Sequence, residues 1–132
     1  MTHSTLNPDT LSKPTGYSHV VVVEAGRQIH LSGQVAFDAS GQVVGKGDVG
    51  AQAEQVYANL VNGLAAAGAR IGDVFKLVTY VVGLTPEKAA TIRAVRMKHM
   101  GAGPYPASTM VGVTSLVHPD LLLEIEVIAH KT

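Results

Sequence analysis

The sequence predicts an α+β domain in which two helices cover one face of a mixed sheet. Three observations predict it. Two stretches repeat apolar residues at helical spacing, and each begins with a capping signal. Five stretches are rich in Val, Ile, Leu or Thr at strand length, and turn residues separate most of them. Their order is β-β-α-β-α-β-β, with no repeat and no low-complexity segment.

The elements follow in chain order. Residues 1–16 are polar, contain Pro8, Pro14 and Gly16, and predict an irregular arm that ends in a turn. Tyr17 to Glu24 carries Val20-Val21-Val22-Val23 and predicts a strand. Ala25-Gly26-Arg27 predicts a turn and Gln28 to Gln34 a second strand, so the pair is expected to form a hairpin. Asp38-Ala39-Ser40-Gly41 and Gly45-Lys46-Gly47 punctuate a loop. Asp48 is the expected N-cap of a helix over 49–67. Gln52, Val56, Leu60, Leu64 and Ala67 recur along its face and Gly68 stops it. A strand is expected over 74–82. Thr85 and Pro86 then supply an N-cap and a first helical residue, and that helix should run to about His99 before Gly101-Ala102-Gly103-Pro104. Two strands, 107–115 and 121–130, complete the chain. Helices with one apolar stripe must pack on one face of the sheet. If the alternate residues on the other face are apolar too, no third layer remains to cover them, and self-association is the simplest answer.

Composition narrows the function. A chain of 132 residues is long enough to bury the core of one domain. Its formal charge is zero, so it lacks the positive field that non-specific nucleic-acid binding relies on, and nucleic acid is not an expected partner. Much Val, Ala and Leu beside so little charge implies that other subunits cover part of the surface. The absence of cysteine excludes disulfides, a thiolate nucleophile and Cys-ligated zinc. No secretory signal or membrane-spanning stretch is visible, so a cytoplasmic protein without membrane partners is expected. The six histidines fall on separate elements without metal-ligand spacing, so no metal is expected. Gly41 to Gly50 lacks the strand-flanked Gly pattern and the Lys-Ser/Thr pair of a phosphate cradle.

Several short motifs occur in one order at one set of spacings. They are Gly16-Tyr17-Ser18, Leu31-Ser32-Gly33-Gln34, Ala66-Ala67-Gly68 with Asp73-Val74 and Lys76, Pro106-Ala107, and Glu124-Ile125-Glu126. In this the chain, over about residues 14–130, resembles the reactive intermediate deaminase family, also called RidA or YjgF and formerly labelled endoribonuclease L-PSP. The resemblance implies a single domain of chorismate mutase-like fold, with one mixed sheet and two helices on one face. It also implies a homotrimer around a central barrel, with a cleft between each pair of subunits. Family members hydrolyse enamines and imines, such as 2-aminoacrylate, to 2-keto acids and ammonia without metal or cofactor.

The resemblance assigns roles residue by residue. Glu124 matches the glutamate that positions or activates the attacking water. Strand alternation puts Glu124 and Glu126 on one face and Ile125 on the other, so one of the pair is expected at the rim and Glu124 in the site. The turn Val117-His118-Pro119 is one residue longer than the family's. Family members carry Pro-Ala-Arg-Ser, whose guanidinium forks onto the substrate carboxylate. Here Ser108 takes the place of that arginine, offering a hydrogen bond and no charge, or reads as an ordinary strand-start residue. Tyr17 matches a cleft tyrosine, with packing at a strand start as the other reading. Ser32 and Gly33 match a cleft segment, and Ala107 with Ser108 would supply backbone donors. Arg93 lies at or next to a family Asn. It either supplies the charge missing at Ser108 or belongs, with Arg96 and Lys98, to a solvated helix face. Tyr105 lines the cleft or covers the core.

Two functions of different class follow. One is a cofactor-free hydrolase of imines or enamines, whose substrate is other than a simple 2-imino acid because Ser108 replaces the arginine. A neutral or cationic imine suits a less positive cleft. The other is a non-catalytic trimer that binds a small metabolite or accompanies another enzyme. A ribonuclease is disfavoured by neutral charge and by the lack of paired catalytic histidines.

Overall fold

Asp48 and Thr85 start the two helices. The Asp48 carboxylate accepts from the backbone N of Ala51 at 3.0 Å, and the Thr85 hydroxyl accepts from that of Lys88 at 3.2 Å. Each satisfies a donor that the first turn leaves without a partner. In the computed structural model, which describes residues 3–132, helix α1 runs Val49–Ala66 and α2 runs Pro86–Met100. The strands are β1 (His3–Leu6), β2 (Val20–Val23), β3 (Arg27–Gln34), β4 (Val74–Val82), β5 (Ala107–Val113) and β6 (Leu123–Lys131), with a short 3-10 turn, Ile71–Asp73, before β4.

Strands β3-β6-β4-β5 form a mixed sheet in that order. The β4–β5 pair is parallel, as the crossover through α2 requires, and β6 runs antiparallel to β3 and β4. Alternate residues of the sheet turn towards the helices. Leu77 and Val81 of β4, and Leu123, Ile125 and Val127 of β6, are buried with Val56, Leu60 and Leu64 of α1 in one apolar core. Burial of each such side chain favours folding by about 1.5–3 kcal/mol. The other face is mixed rather than uniformly apolar: Val78 and Ile128 alternate with Lys76, Glu124 and Glu126.

Two expectations for the N-terminal part need correction. Residues 3–6 of the arm are not irregular; they form β1, antiparallel to β2. Residues 1 and 2 lie outside the described residues. The hairpin of β2 with β3 is also absent, since β2 pairs with β1 in a separate two-stranded ribbon. Register between strands is set by tertiary partners as well as by the nearest turn. The ribbon is anchored to the sheet at both ends. Ser18 bridges to Ala107, the first residue of β5, and the ring of His3 packs at 6.2 Å from that of Phe75 in β4.

Candidate functional site

A small cavity of about 200 Å³ opens where the N-terminal arm crosses α2 and β5. Thr15, Tyr17, Arg93, Arg96, Ser108 and Met110 line it. Ser108 pairs with the buried Leu77 of β4, on the helix side of the sheet. Its hydroxyl therefore faces α2, where Arg96 Nη1 donates to Ser108 Oγ at 3.1 Å. Arg96 is 3% exposed, and its Nε is buried without a hydrogen-bond partner among the described residues. Arg93 lies three residues earlier on α2, on the same face. Neither guanidinium is in an ion pair with a carboxylate among the described residues.

The arm closes over this pair through Gly16. There φ is +72°, and a Cβ would meet Met97 Sδ at 3.1 Å, Arg96 Nη2 at 3.5 Å and Arg93 Cδ at 3.8 Å. A side chain at 16 would both strain the turn and push it off the arginines. Burial lowers the pKa of Arg96, Arg93 lowers it further by repulsion, and Tyr57 and Tyr105 oppose the change. Behind Arg96 the Tyr57 ring stacks on His99. Burial pushes the Tyr57 hydroxyl far above its ordinary range, so it stays neutral.

The other residues expected near Ser108 are adjacent in part. Ala107 opens β5 against Lys76 and bridges to Ser18. Ser18 Oγ donates to the Tyr105 carbonyl at 2.6 Å, and the Tyr105 hydroxyl donates to the Gly101 carbonyl at 3.0 Å. Tyr105 thus spends its hydroxyl locally and is not among the lining residues. The reading of Arg96 as solvated is overturned. The charge absent from β5 is present on α2. The signal was in the sequence: Arg96 stands four residues after the buried Ile92, so it falls on the apolar stripe of its helix.

Glu124, Ser32 and Gly33 form a second group. Glu124 lies beside Tyr80 of β4 on the face away from the helices, and Glu126 shares that face. The two glutamates differ in environment. Glu126 Oε1 accepts from the Tyr80 hydroxyl at 2.7 Å, whereas Glu124 makes no hydrogen bond or ion pair among the described residues. Glu124 opens into a depression of about 760 Å³ lined also by Gly33, Phe37, Gln55, Asn59 and Val117. Any Cβ at Gly33 would overlap the Glu124 carboxylate, so only glycine lets the acid lie there. Ser32 is exposed on the same strand. Upstream of Glu124, buried Gln52 of α1 fixes the turn. Its Nε2 donates to the Asp120 and Gly45 carbonyls at 2.8 and 3.2 Å, and its Oε1 accepts from Leu122 N at 2.8 Å.

Within one chain the two groups do not converge. Ser108 with its arginines is on the helix side of the sheet, and Glu124 is on the other. A further cavity of about 430 Å³, around Arg70, Asp73, Pro104 and Lys131, contains none of the expected site residues. Among the described residues no cluster of three or more His, Asp or Glu could hold a metal ion, and no helix is long and apolar enough to cross a membrane.

The sequence and fold have clear relatives. The family model for Endoribonuclease L-PSP matches residues 9–131. A RutC family protein of Pyrococcus horikoshii is 34% identical over 120 residues, covering 90% of each chain. A 2-iminobutanoate/2-iminopropanoate deaminase of Salmonella typhimurium is 34% identical over 113 residues, covering 84% of this chain and 85% of that one. The crystal structure of YyfB from Yersinia pestis, a Rid family protein of unknown function, superposes with a TM-score of 0.92 at 42% identity, covering 99% of this chain and 100% of that one.

Proposed function

Because the chain belongs to the endoribonuclease L-PSP family, also called RidA/YjgF, we propose that it hydrolyses reactive imines or enamines to a carbonyl compound and ammonia, without a cofactor. The observation that carries this is Glu124. Its carboxylate is held over Gly33 at an open depression and is engaged by no other side chain among the described residues, while Glu126 is bound to Tyr80. An acid so placed can accept a proton from water. Water adds to the carbon of the protonated imine as one of its protons passes to Glu124, giving a neutral carbinolamine. Glu124 returns that proton to the nitrogen, the C–N bond breaks, and the hydroxyl proton passes to the departing ammonia, which leaves as ammonium, as the carbonyl forms.

The separation of Glu124 from Ser108 and the arginines supports a cleft shared between copies. A small substrate cannot touch both faces of one sheet. In a homotrimer with the Glu124 faces turned inward, one subunit contributes the acid and its neighbour the α2–β5 cavity. The substrate differs from a simple 2-imino acid, because a hydroxyl and two helix-borne guanidiniums replace a single strand-borne arginine.

An amino-acid oxidase that generates imines in the presence of the protein tests this. The protein should accelerate imine loss, and Glu124→Gln should reduce that acceleration by about 10²–10⁴-fold, the usual contribution of a general acid–base. No acceleration with any of several imines refutes the hydrolase. Stabilisation by ligand without turnover would favour the metabolite-binding trimer instead.

A further inference from the structure

We propose that Arg93 and Arg96, with Ser108 and Tyr17, form a binding site for a small organic acid carrying two carboxylates. This deepens the hydrolase reading by naming a substrate class, but the binding claim stands by itself.

Two guanidiniums share one small cavity, one of them almost wholly buried, and no carboxylate among the described residues pairs with either. The one acid of α1, Glu54, is already engaged by Lys98 and His99. A buried cation without a counter-ion is unfavourable, and a buried N–H without an acceptor adds to the penalty. Arg96 has both features, since among the described residues its one hydrogen bond is to the neutral Ser108 and its Nε has none. An anion in the cavity removes both. A monocarboxylate would match one guanidinium and leave the other uncompensated.

Shape favours a dicarboxylate over a compact dianion. Each guanidinium presents a planar fork that matches one carboxylate. Side chains three apart on a helix start about 5–6 Å from each other, a distance that a short carbon chain between two carboxylates can span. Tyr17 and Met110 give the cavity apolar walls against which such a chain can lie.

Titration calorimetry on the full-length protein tests the site. Succinate and 2-oxoglutarate are compared with butyrate and 2-oxobutanoate, and inorganic phosphate forms a third arm. The dicarboxylates should bind about tenfold or more tightly than the monocarboxylates, as one added charge-assisted contact implies. Arg93→Met and Arg96→Met should each abolish that preference, and Arg96→Lys should restore only part of it. Arg93 is half-exposed, so its variant keeps the test decisive even if Arg96→Met fails to fold. Equal affinity for the two acid classes, tighter binding of phosphate, or indifference to Arg93→Met overturns the proposal. The hydrolase reading fails separately: dicarboxylate binding with no imine turnover sinks that reading alone, and turnover without dicarboxylate preference sinks this one alone.

Discussion

Replacing Arg96 by methionine should make the ligand-free protein more stable. Methionine retains a long apolar stem at this buried position and removes the charge. Burying an ion costs several kcal/mol even after relaxation. The bond from Arg96 Nη1 to Ser108 Oγ recovers about 1.5–3 kcal/mol as a hydrogen bond to a charged group. Ser108 is only partly buried, so water can replace that partner. The balance is a gain of about 1–2 kcal/mol on substitution, or about 4–7 °C in Tm for a chain of this size. Urea unfolding at fixed protein concentration measures it, with an unchanged m-value showing that the native and unfolded states are otherwise comparable. Saturating succinate should reverse the order, because only the wild type gains from the ligand. A ligand-free Arg96→Met protein that is less stable than wild type by about 1 kcal/mol or more would show that the guanidinium is already compensated, and the reasoning from uncompensated charge would fail.

Two further outcomes concern the frame of the site. Gln52→Leu leaves two carbonyls and the Leu122 N–H without their side-chain partner and should cost about 3 kcal/mol, read as a lower urea midpoint. A loss well below about 1 kcal/mol would mean that water serves those groups equally well. For Asp73, burial acts to raise the pKa, but the Arg70 N–H at 2.8 Å and Lys131 at 3.3 Å outweigh it and the net shift is downward. Its folded value lies below its unfolded one, so its stabilisation is present above the ordinary value of 3.8 and fades as pH falls through the folded value. The stability gap between wild type and Asp73→Asn should hold from neutral pH down to that region and then close. A gap that widens on acidification contradicts the sign.

Local signals carried most of the fold. The two N-caps, the Gly68 stop and the strand over 74–82 were legible because side chain and backbone interact within a few residues. The shared face of Glu124 and Glu126 was legible from strand period alone. What was not legible depends on distant partners. The valines of β2 have no sequence mark that says β1 rather than β3 will pair with them. Nothing near Glu126 foretells a tyrosine 46 residues away that occupies it. Arg96 is an intermediate case. Its position on the buried stripe was readable, but charge argued for solvent, and only the hydroxyl opposite and the arm above explain why it stays inside.

The placement of Glu124 and the arginine pair on opposite sides of the sheet has a genetic consequence. Two defective proteins, one without the acid and one without Arg96, would carry complementary lesions. If each cleft draws its parts from adjoining subunits, co-expressing them would rebuild about one intact cleft in four by random assortment within mixed trimers. A cell holding both alleles would then regain what neither supplies by itself.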